Sequence, residues 1–334
     1  MTERSFHPDI FRQPENLERA AATLLHALRE ADLGRFRADP VVFTGMGASF
    51  FSVIPAVQAL RAAGRPALAM TATDILEPGG ERVGGVYIGV SQSGRSAETV
   101  AAFRAIETSR LALTRTGSGP LAEVADLSLP IGSQPDAGIS VLTYSASLLA
   151  GAVLASALGA GAVELEIGRL TELVAELLER AEPVAERMAA SLAGARAVDA
   201  VGTGFSGAST GYAALVIREA ARIPSASFDT GQYLHGPVEV AEPGVGAVLF
   251  GADREVRLAA DLASSGMAVL LVTSADLHPT HGVEVVRLPH VPAVLRPILE
   301  AVPVQLLTDQ LAQARGLSPG SFRHHQADTK LEAQ

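Results

Sequence analysis

Two periods of apolar residues alternate along the first half of the chain and predict an α/β fold. Apolar residues recur at helical spacing from Leu17 to Leu33, as expected for an amphipathic opening helix. Five short apolar runs follow, separated by turn residues or helical patterns: Val41–Thr44, Ala67–Thr71, Val86–Val90, Leu111–Thr114 and Leu127–Leu129. Because strands that alternate with helices form parallel sheets, the pattern predicts a mostly parallel sheet with helices on both faces.

The segment Ala162–Ala197 has a different pattern. Its apolar residues form one helical stripe, with glutamate and arginine on the other side. Proline lacks a backbone N–H and clashes with the preceding helical turn, so Pro183 predicts a break or a kink. The segment is therefore interpreted as a connector of two helices joined at a bend.

The first pattern returns after this connector, which indicates a duplication. Asp199–Ser206 matches Val42–Ser49 with two glycines and a serine in register, and two later apolar runs echo the fourth and fifth runs, at Val269–Thr273 and Val285–Pro289. A match over several elements suggests that one α/β unit occurs twice. The predicted organisation is an N-terminal helical segment at 1–34, a first domain at 35–161, the connector at 162–197, a second domain at 198–320, and a tail at 321–334 that is a candidate lid.

Composition narrows the class of protein. The 334 residues are enough for two domains, and 48% hydrophobic with 19% charged residues is typical of a packed globular protein. A net charge of −10 argues against a nucleic-acid partner, and the absence of cysteine excludes disulfides and thiol nucleophiles. The polar N-terminus has no apolar signal core, so a cytoplasmic location is expected.

One uncharged stretch, Val141–Val163, is long enough to cross a bilayer. It consists largely of alanine, glycine and serine, whose transfer into lipid is only weakly favourable. The stretch therefore favours a helix that is buried or faces another subunit, and no membrane association is predicted.

The sequence Ser91-Gln-Ser-Gly-Arg-Ser96 closes a predicted strand and opens a predicted helix. The free N–H groups and the positive dipole end at a helix start favour an anion. Ser91, Gln92, Ser93 and Ser96 add hydroxyl and amide groups that can contact the remaining oxygens of a phosphate. The alternative is a serine that only caps the helix, but the clustering of four polar side chains favours a phosphate site.

Two glycine turns are weaker signals. The glycines of Gly45-Met-Gly-Ala-Ser49 can serve only to let the backbone bend tightly. The repeat of this turn, Gly202–Gly207, spells the G-x-G-x-x-G pattern of dinucleotide sites, which also requires an acidic residue at the end of the next strand. The nearest candidate, Glu219, lies inside the predicted helix, so a nicotinamide or flavin cofactor is disfavoured.

Glu219 is a lone carboxylate in the apolar helical stretch Ala213–Ala221. Arg218 or Arg222 can neutralise it, which would make it a structural residue. Alternatively, burial raises its pKa and makes it a base that works near neutral pH. His235, in a Leu-His-Gly-Pro sequence, is equally open between a loop residue and a catalytic one.

Together these motifs resemble the tandem form of the sugar isomerase (SIS) domain family. The resemblance rests on the G-x-G-x-S turn, the S-Q-S-G-x-S loop, a glutamate sixteen residues before H-G-P, and the division of the chain into halves. It extends over nearly the whole chain, which is similar to the isomerase half of glucosamine-6-phosphate synthase and to stand-alone phosphosugar isomerases, deaminases and deglycases. It implies two flavodoxin-like three-layer α/β/α domains in a homodimer.

The resemblance also implies a role for each matching residue. Glu219 matches the base that moves a proton between C1 and C2. His235 matches the histidine that promotes ring opening and reaches across from the neighbouring subunit. The matching substrate-binding residues are those of the two turns and one threonine: Gly47, Ser49, Ser91, Gln92, Ser93, Ser96 and Thr143.

Several lysines that are typical of the family are missing, at Tyr144, Val216 and Leu234. The tail lysine of the family falls at Ala327, and Lys330, the only lysine of this chain, lies three residues further on. The resemblance therefore implies either that a looped tail brings Lys330 into the site as a third catalytic residue, or that the site lacks this group.

The implied activity is aldose–ketose isomerisation, or isomerisation coupled to loss of an amine, on a sugar phosphate or an amino-sugar phosphate. Such chemistry requires no metal and no organic cofactor. Glutamine-driven amination is not expected, because no glutaminase domain is found in the chain. The alternative is a non-catalytic sugar-phosphate sensor of the same fold, which the missing lysines favour and the pair of Glu219 and His235 disfavours.

Overall fold

The computed structural model of the protein describes residues 6–161, 167–324 and 326–332. Helices and strands alternate through both halves of the chain. The helices are α1 (Phe6–Phe11), α2 (Gln13–Glu30), α3 (Ala48–Ala62), α4 (Ala72–Leu76), α5 (Ala97–Ala105), α6 (Pro120–Glu123), α7 (Leu142–Ala157), α8 (Ile167–Leu192), α9 (Gly207–Val216), α10 (Thr230–Tyr233), α11 (Arg254–Ser264) and α12 (Arg296–Ala314). The strands are β1 (Val41–Gly45), β2 (Ala67–Thr71), β3 (Val86–Ser91), β4 (Ser109–Thr114), β5 (Leu127–Pro130), β6 (Ala197–Gly202), β7 (Ser225–Phe228), β8 (Val245–Phe250), β9 (Ala268–Thr273) and β10 (Val283–Arg287).

The strands form two parallel sheets with the same topology. The first sheet has the order β2-β1-β3-β4-β5, and the second has the corresponding order β7-β6-β8-β9-β10. Both follow the 2-1-3-4-5 order of flavodoxin-like folds. The predicted fold class of two three-layer α/β/α domains is confirmed, and the predicted repeat is a repeat of structure.

The predicted break in the connector is wrong, because α8 is a single helix from Ile167 to Leu192 with Pro183 inside it. A proline inside a helix costs about 3 kcal/mol. The apolar stripe is buried on both sides of this proline, and each large apolar side chain so buried contributes about 1.5–3 kcal/mol. Packing of the stripe therefore outweighs the lost hydrogen bond. Residues 162–166 of the predicted connector lie outside the described residues.

The chain divides into two compact units, each built around one sheet. The first unit comprises Glu15–Pro135, Leu142–Gly168 and Arg323–Gln334, and the second comprises Met1–Pro14, Asp136–Val141 and Arg169–Phe322. These limits differ from the predicted domain boundaries, because the chain returns to the first unit at its C-terminal tail. Across the described ranges, no helix, including the buried α7, is long and apolar enough to span a membrane.

Each unit has its own buried apolar cluster. In the first unit the cluster joins strand residues such as Val42 and Tyr87 to Val100 and Phe103 on α5. Leu331 of the tail packs against this cluster. The tail is therefore part of the packing of the first unit.

Candidate functional site

The glycine turn Gly45–Ser49 and the serine loop Ser91–Ser96 lie at the same edge of the first sheet. The turn follows β1 and the loop follows β3, and these two strands are parallel neighbours. β2 pairs with the outer edge of β1 and β4 with the outer edge of β3, so the chain leaves these two strands in opposite directions. In open α/β sheets, the crevice between strands whose connections diverge in this way is the usual ligand site. Two of the predicted substrate-binding segments are thus brought together.

The serine loop presents polar groups at the start of α5. Ser91 is buried at the end of β3, Gln92 is partly buried, and Ser93 is exposed. Gly94 turns the chain with a φ of 65°, a conformation that favours glycine. The hydroxyl of Ser96 makes no cap hydrogen bond; it donates to Oε2 of Glu98 at 3.2 Å and accepts from Oγ1 of Thr99 at 3.0 Å. The role of the serine loop as a phosphate site stays a prediction.

The C-terminal tail, Gln326–Glu332, docks on the serine loop through its backbone. Ser96 and Lys330 form an antiparallel bridge, and the N–H of Ala97 donates to the carbonyl oxygen of Thr329 at 3.1 Å. The side chain of Lys330 is exposed. The structure places the tail beside the loop, while the catalytic role of Lys330 stays a prediction.

Arg95 clamps this tail. Its Nε lies 2.6 Å from the carbonyl oxygen of Leu331, a second guanidinium N–H donates to the same oxygen, and the N–H of Leu331 donates to the carbonyl oxygen of Arg95 at 2.9 Å. The clamp joins residues 236 positions apart. No local sequence pattern reveals such a pairing, so sequence reasoning did not identify Arg95 as a site residue.

Thr143 lies in the first turn of α7, which packs along α3. The two helices run in the same direction, because the middle of α7 faces the first half of α3 and Leu158, just after α7, accepts a hydrogen bond from Arg65. The start of α7 therefore lies at the same end of the first unit as Gly47 and Ser49. Thr143 itself is buried, with its hydroxyl oxygen 3.0 Å from Oγ of Ser133.

Glu219 lies in a π-helical segment, Ile217–Ala221, that continues α9. Such turns are rare and are found frequently at functional sites. Burial raises the pKa of Glu219 to about 7. Arg218 and Arg222 both donate to backbone carbonyl groups instead, and no ion pair within the described ranges includes Glu219. The interpretation of Glu219 as a structural residue requires a neutralising arginine, and neither Arg218 nor Arg222 forms an ion pair with it.

Two helical turns before Glu219, Tyr212 is the centre of a buried chain of hydrogen bonds. Its hydroxyl donates to the carbonyl oxygen of Ser140 at 2.7 Å and accepts from Nε2 of Gln305 at 3.0 Å, and Gln305 accepts from Gln13 at 2.8 Å. Burial is the main reason that the pKa of Tyr212 is raised, and the charge of Glu219 adds to it. The tyrosine therefore stays protonated and holds the helix that carries Glu219.

His235 follows α10, and its side chain is exposed. Its backbone N–H donates to the carbonyl oxygen of Gln232 at 3.1 Å. In the part of the chain that the structure describes, its ring makes no hydrogen bond or ion pair, so no contact joins it to Glu219. The predicted role of His235 stays a prediction.

The second glycine turn, Gly202–Ser206, is filled by a carboxylate of the same unit. Oγ of Ser206 donates to Oε1 of Glu300 at 2.7 Å, and Oγ of Ser209 donates to Oε2. Glu300 is 1% exposed, and Nε of Arg296 lies 3.3 Å from Oε1 without hydrogen-bond geometry. Burial raises the pKa of the Glu300 carboxyl group, and both serine hydroxyls of this turn donate to it.

An acidic residue does follow the next strand, contrary to the sequence-based expectation. Asp229 comes directly after β7, the place of a ribose-binding carboxylate, so naming Glu219 as the nearest candidate was wrong. Its Oδ2 accepts from Oγ1 of Thr203 at 2.6 Å, and its Oδ1 accepts from two backbone N–H groups of α10. These bonds give Asp229 a structural role. Among residues 6–161, 167–324 and 326–332, no group of three acidic or histidine side chains could hold a metal ion.

Known proteins resemble the chain over nearly its whole length. It is 28% identical over 341 residues to the isomerizing glutamine–fructose-6-phosphate aminotransferase of Pyrococcus horikoshii, a match that covers 95% of the chain and 56% of that relative. The C-terminal domain of the glucosamine-fructose-6-phosphate aminotransferase of Francisella tularensis has the same fold, with a TM-score of 0.82 at 16% identity over 94% of the chain and 97% of that domain. The chain is therefore similar to part of the Pyrococcus aminotransferase and has the fold of the Francisella domain.

The fold of the chain is shared by other solved structures. The glucosamine-6-phosphate deaminase of Thermotoga maritima superposes with a TM-score of 0.79 at 20% identity, over 97% of the chain and 99% of that protein. The chain spans little more than half the length, 56%, of the Pyrococcus relative. No protein-family profile matches the chain. The resemblance to the tandem SIS family is nevertheless confirmed by these relatives.

Proposed function

We propose that the chain is an enzyme that moves a proton between C1 and C2 of a sugar phosphate or an amino-sugar phosphate. The observation that carries the proposal is Glu219, a partly buried carboxylate in a π-helical turn, without an ion pair in the described residues. Its pKa is raised to about 7 by burial. A group with this pKa can take up a proton and return it near neutral pH.

In the proposed reaction, Glu219 removes the proton from one of the two carbons of the open-chain sugar, which leaves an enediol or, with an amino sugar, an enolamine. The same carboxyl group then returns the proton to the other carbon, while the hydroxyl or amine proton moves between the two heteroatoms. His235 is proposed to assist ring opening, and Lys330 to add a positive charge beside the serine loop. The proposed assembly is a homodimer.

The serine loop and the first glycine turn are proposed to hold the phosphate group. Support comes from their place at the carboxyl ends of β1 and β3. The relatives, an isomerizing aminotransferase of fructose 6-phosphate and a glucosamine-6-phosphate deaminase, also support a hexose 6-phosphate as substrate. Deamination and deglycation are included in the proposal because both begin with the same proton transfer.

A second candidate function is that of a non-catalytic sugar-phosphate sensor. It is favoured by Tyr144, Val216 and Leu234, which stand where the SIS family commonly has lysine. Tyr144 and Val216 are buried, and neither carries the positive charge of an ammonium group.

Proton exchange separates the two candidates. The protein is incubated in deuterated water with fructose 6-phosphate or glucosamine 6-phosphate, and the hydrogens at C1 and C2 are followed by NMR. An enzyme of the proposed kind incorporates solvent deuterium at C1 or C2. Saturable binding of the sugar phosphate without exchange would instead identify a sensor.

A further inference from the structure

The two glycine turns share a positive φ angle and the spacing of their serines. Gly47 and Gly204 have φ angles of 56° and 62°, although Ser49 already lies in α3 whereas Ser206 lies in a 3₁₀ turn that precedes α9. Each of these glycines is followed by a serine two residues later and by another five residues later: Ser49 and Ser52 in the first unit, and Ser206 and Ser209 in the second. The same pair of hydroxyl groups is therefore present in both units.

The helices packed against the two turns are equivalent as well. In the first unit α7 packs against α3, and in the second α12 packs against α9. The spacing from Ser49 to Thr143 on α7 equals the spacing from Ser206 to Glu300 on α12. By this spacing Glu300 corresponds to Thr143, although Glu300 is the fifth residue of α12 and Thr143 the second residue of α7.

The serine hydroxyl groups have different hydrogen-bond acceptors in the two units. In the second unit, both serines donate to Glu300, whose two oxygens take the hydrogen bonds that phosphate oxygens would take. In the first unit, the hydroxyl of Ser52 donates to the carbonyl oxygen of Ser49 at 2.8 Å. Over the described stretches of the chain, no carboxylate accepts a hydrogen bond from Ser49 or Ser52.

We infer that Glu300 determines which unit can bind phosphate: its carboxyl group occupies the serine hydroxyls of the second glycine turn and keeps phosphate out of the second unit. Glu300 is 1% exposed and already accepts the hydrogen bonds of Ser206 and Ser209, so neither hydroxyl group is left for a phosphate. Burial also raises the pKa of the Glu300 carboxyl group, so the exclusion rests on this occupancy. Each chain then binds one phosphate group, at the first turn. That binding at the first turn rests on the proposed function, whereas the closure of the second turn does not.

The test is a count of bound phosphate in Glu300→Thr, which gives the second unit the residue of the first. Equilibrium dialysis with radiolabelled inorganic phosphate is expected to yield one more site per chain in this variant than in the wild type. Adding Ser206→Ala should remove the gained site, while Ser93→Ala should leave it. A Glu300→Thr chain with no gained site would overturn the inference.

If the proposed function is wrong, the same count of bound phosphate gives a different result. If the wild type binds no phosphate while Glu300→Thr gains one site, the phosphate site of the first unit is disproved and the inference stands.

A second measurement keeps the inference testable if Glu300→Thr does not fold. Ser206→Ala should lower the midpoint of thermal unfolding by several degrees, because it leaves a buried carboxylate with one donor fewer. Its matched control, Ser49→Ala, should leave the midpoint nearly unchanged. Equal midpoints for the two variants would show that Glu300 is not held as a ligand of the second turn.

Discussion

The two units of this chain share a strand order and a glycine turn after their first strand, but only the second turn is occupied by a carboxyl group of the chain itself. In the first unit the turn lies beside the serine loop, which is rich in hydroxyl groups. In the second unit Glu300 fills the turn, and the next loop is shorter, Gly251–Asp253. That loop leads into Glu255, which is 5% exposed and accepts a hydrogen bond from Thr230. The second unit fills its turn and its next loop with its own carboxyl groups, whereas Ser49 and Ser52 of the first unit donate to no carboxylate in the described residues.

The difference shows how a duplicated unit can specialise. The helix α9 begins at the closed turn and runs into the π-helical segment that carries Glu219. Because Glu300 already satisfies the hydroxyl groups at the start of α9, this end of the helix is held without a ligand. The second unit can therefore hold the proposed base in place, while the hydroxyl groups proposed to bind phosphate belong to the first unit.

The largest expected effect comes from removing the base of the second unit. Glu219→Gln should lower the rate of deuterium exchange at C1 and C2 by about 10²- to 10⁴-fold, because the amide cannot take up the proton. Binding of the sugar phosphate should persist. The control is Glu176→Gln on the exposed face of α8, which should exchange like the wild type. Normal exchange in Glu219→Gln would reduce Glu219 to a structural carboxylate.

The same substitution should change how stability depends on pH. The pKa of Glu219 is raised from 4.5 to about 7 in the folded chain, so its contribution is most favourable below pH 4.5 and is lost as the pH rises through 7. Above pH 7 the carboxylate costs on the order of 3 kcal/mol, which the amide avoids. Urea unfolding at pH 5 and pH 8 should therefore find Glu219→Gln stabilised relative to the wild type, and more so at pH 8. An equal difference at both pH values would contradict the raised pKa.

The serine loop should bind phosphate, and the closed turn should not. Ser93→Ala is expected to weaken binding of a sugar phosphate by roughly 10- to 100-fold, because a hydrogen bond to a charged group contributes about 1.5–3 kcal/mol. The affinity for the unphosphorylated sugar should stay the same. Ser206→Ala, in the turn that Glu300 fills, should change neither affinity. Calorimetry with both ligands checks this, and equal losses for the two sugars in Ser93→Ala would remove the loop as the phosphate site.

Releasing the tail should have a smaller effect on the first unit. Arg95→Ala removes both guanidinium hydrogen bonds to Leu331, so residues 326–332 should exchange their amide hydrogens faster. Phosphate binding should weaken by about 3- to 10-fold, because the loop loses a group that fixes its shape. Arg104→Ala, an exposed position on α5, is the control for lost charge and should leave both measurements unchanged. Unchanged exchange in the tail of Arg95→Ala would show that the clamp does not hold it.

The smallest effect is expected at Lys330. Its side chain is exposed and its docking contact is made by the backbone, so Lys330→Ala should weaken sugar-phosphate binding only about 2- to 3-fold, with the difference vanishing at high salt. Borohydride treatment with a keto-sugar phosphate, followed by mass mapping, tests a covalent role. An adduct on Lys330 would replace this electrostatic role by a Schiff base.

The parts of this structure that were predictable from sequence are those set by short-range patterns. The strands and the two glycine turns follow from apolar runs that end in Gly-x-Gly, and the position of Glu219 on a helix follows from the apolar residues around it. The π-helical turn at this residue does not follow, because one altered hydrogen bond leaves almost no trace in residue spacing. The predicted break at Pro183 was wrong for a related reason. Burial of the apolar stripe of α8 on both sides of the proline outweighs its low helix propensity.

Contacts between residues far apart in the sequence could not be predicted for another reason. Ser206 and Glu300 are 94 positions apart, and Arg95 and Leu331 are 236 apart. Only the folded chain brings such residues together. A weak signal did exist for Glu300, because the repeat that aligns Ser49 with Ser206 also aligns Thr143 with Glu300. Glu300 in the second copy corresponds by spacing to Thr143 in the first, and this difference marks a position where the copies have diverged.

The docking of the tail on the serine loop has a consequence for how the protein is made. Arg95 emerges from the ribosome long before Leu331, because 236 positions separate them and the entire second sheet is synthesised in between. The first sheet can form early in translation, but the strand that bridges Ser96 arrives only after residue 330 has been added. The serine loop of a nascent chain therefore lacks its contacts with residues 329–331 at a stage when the first sheet can already have formed.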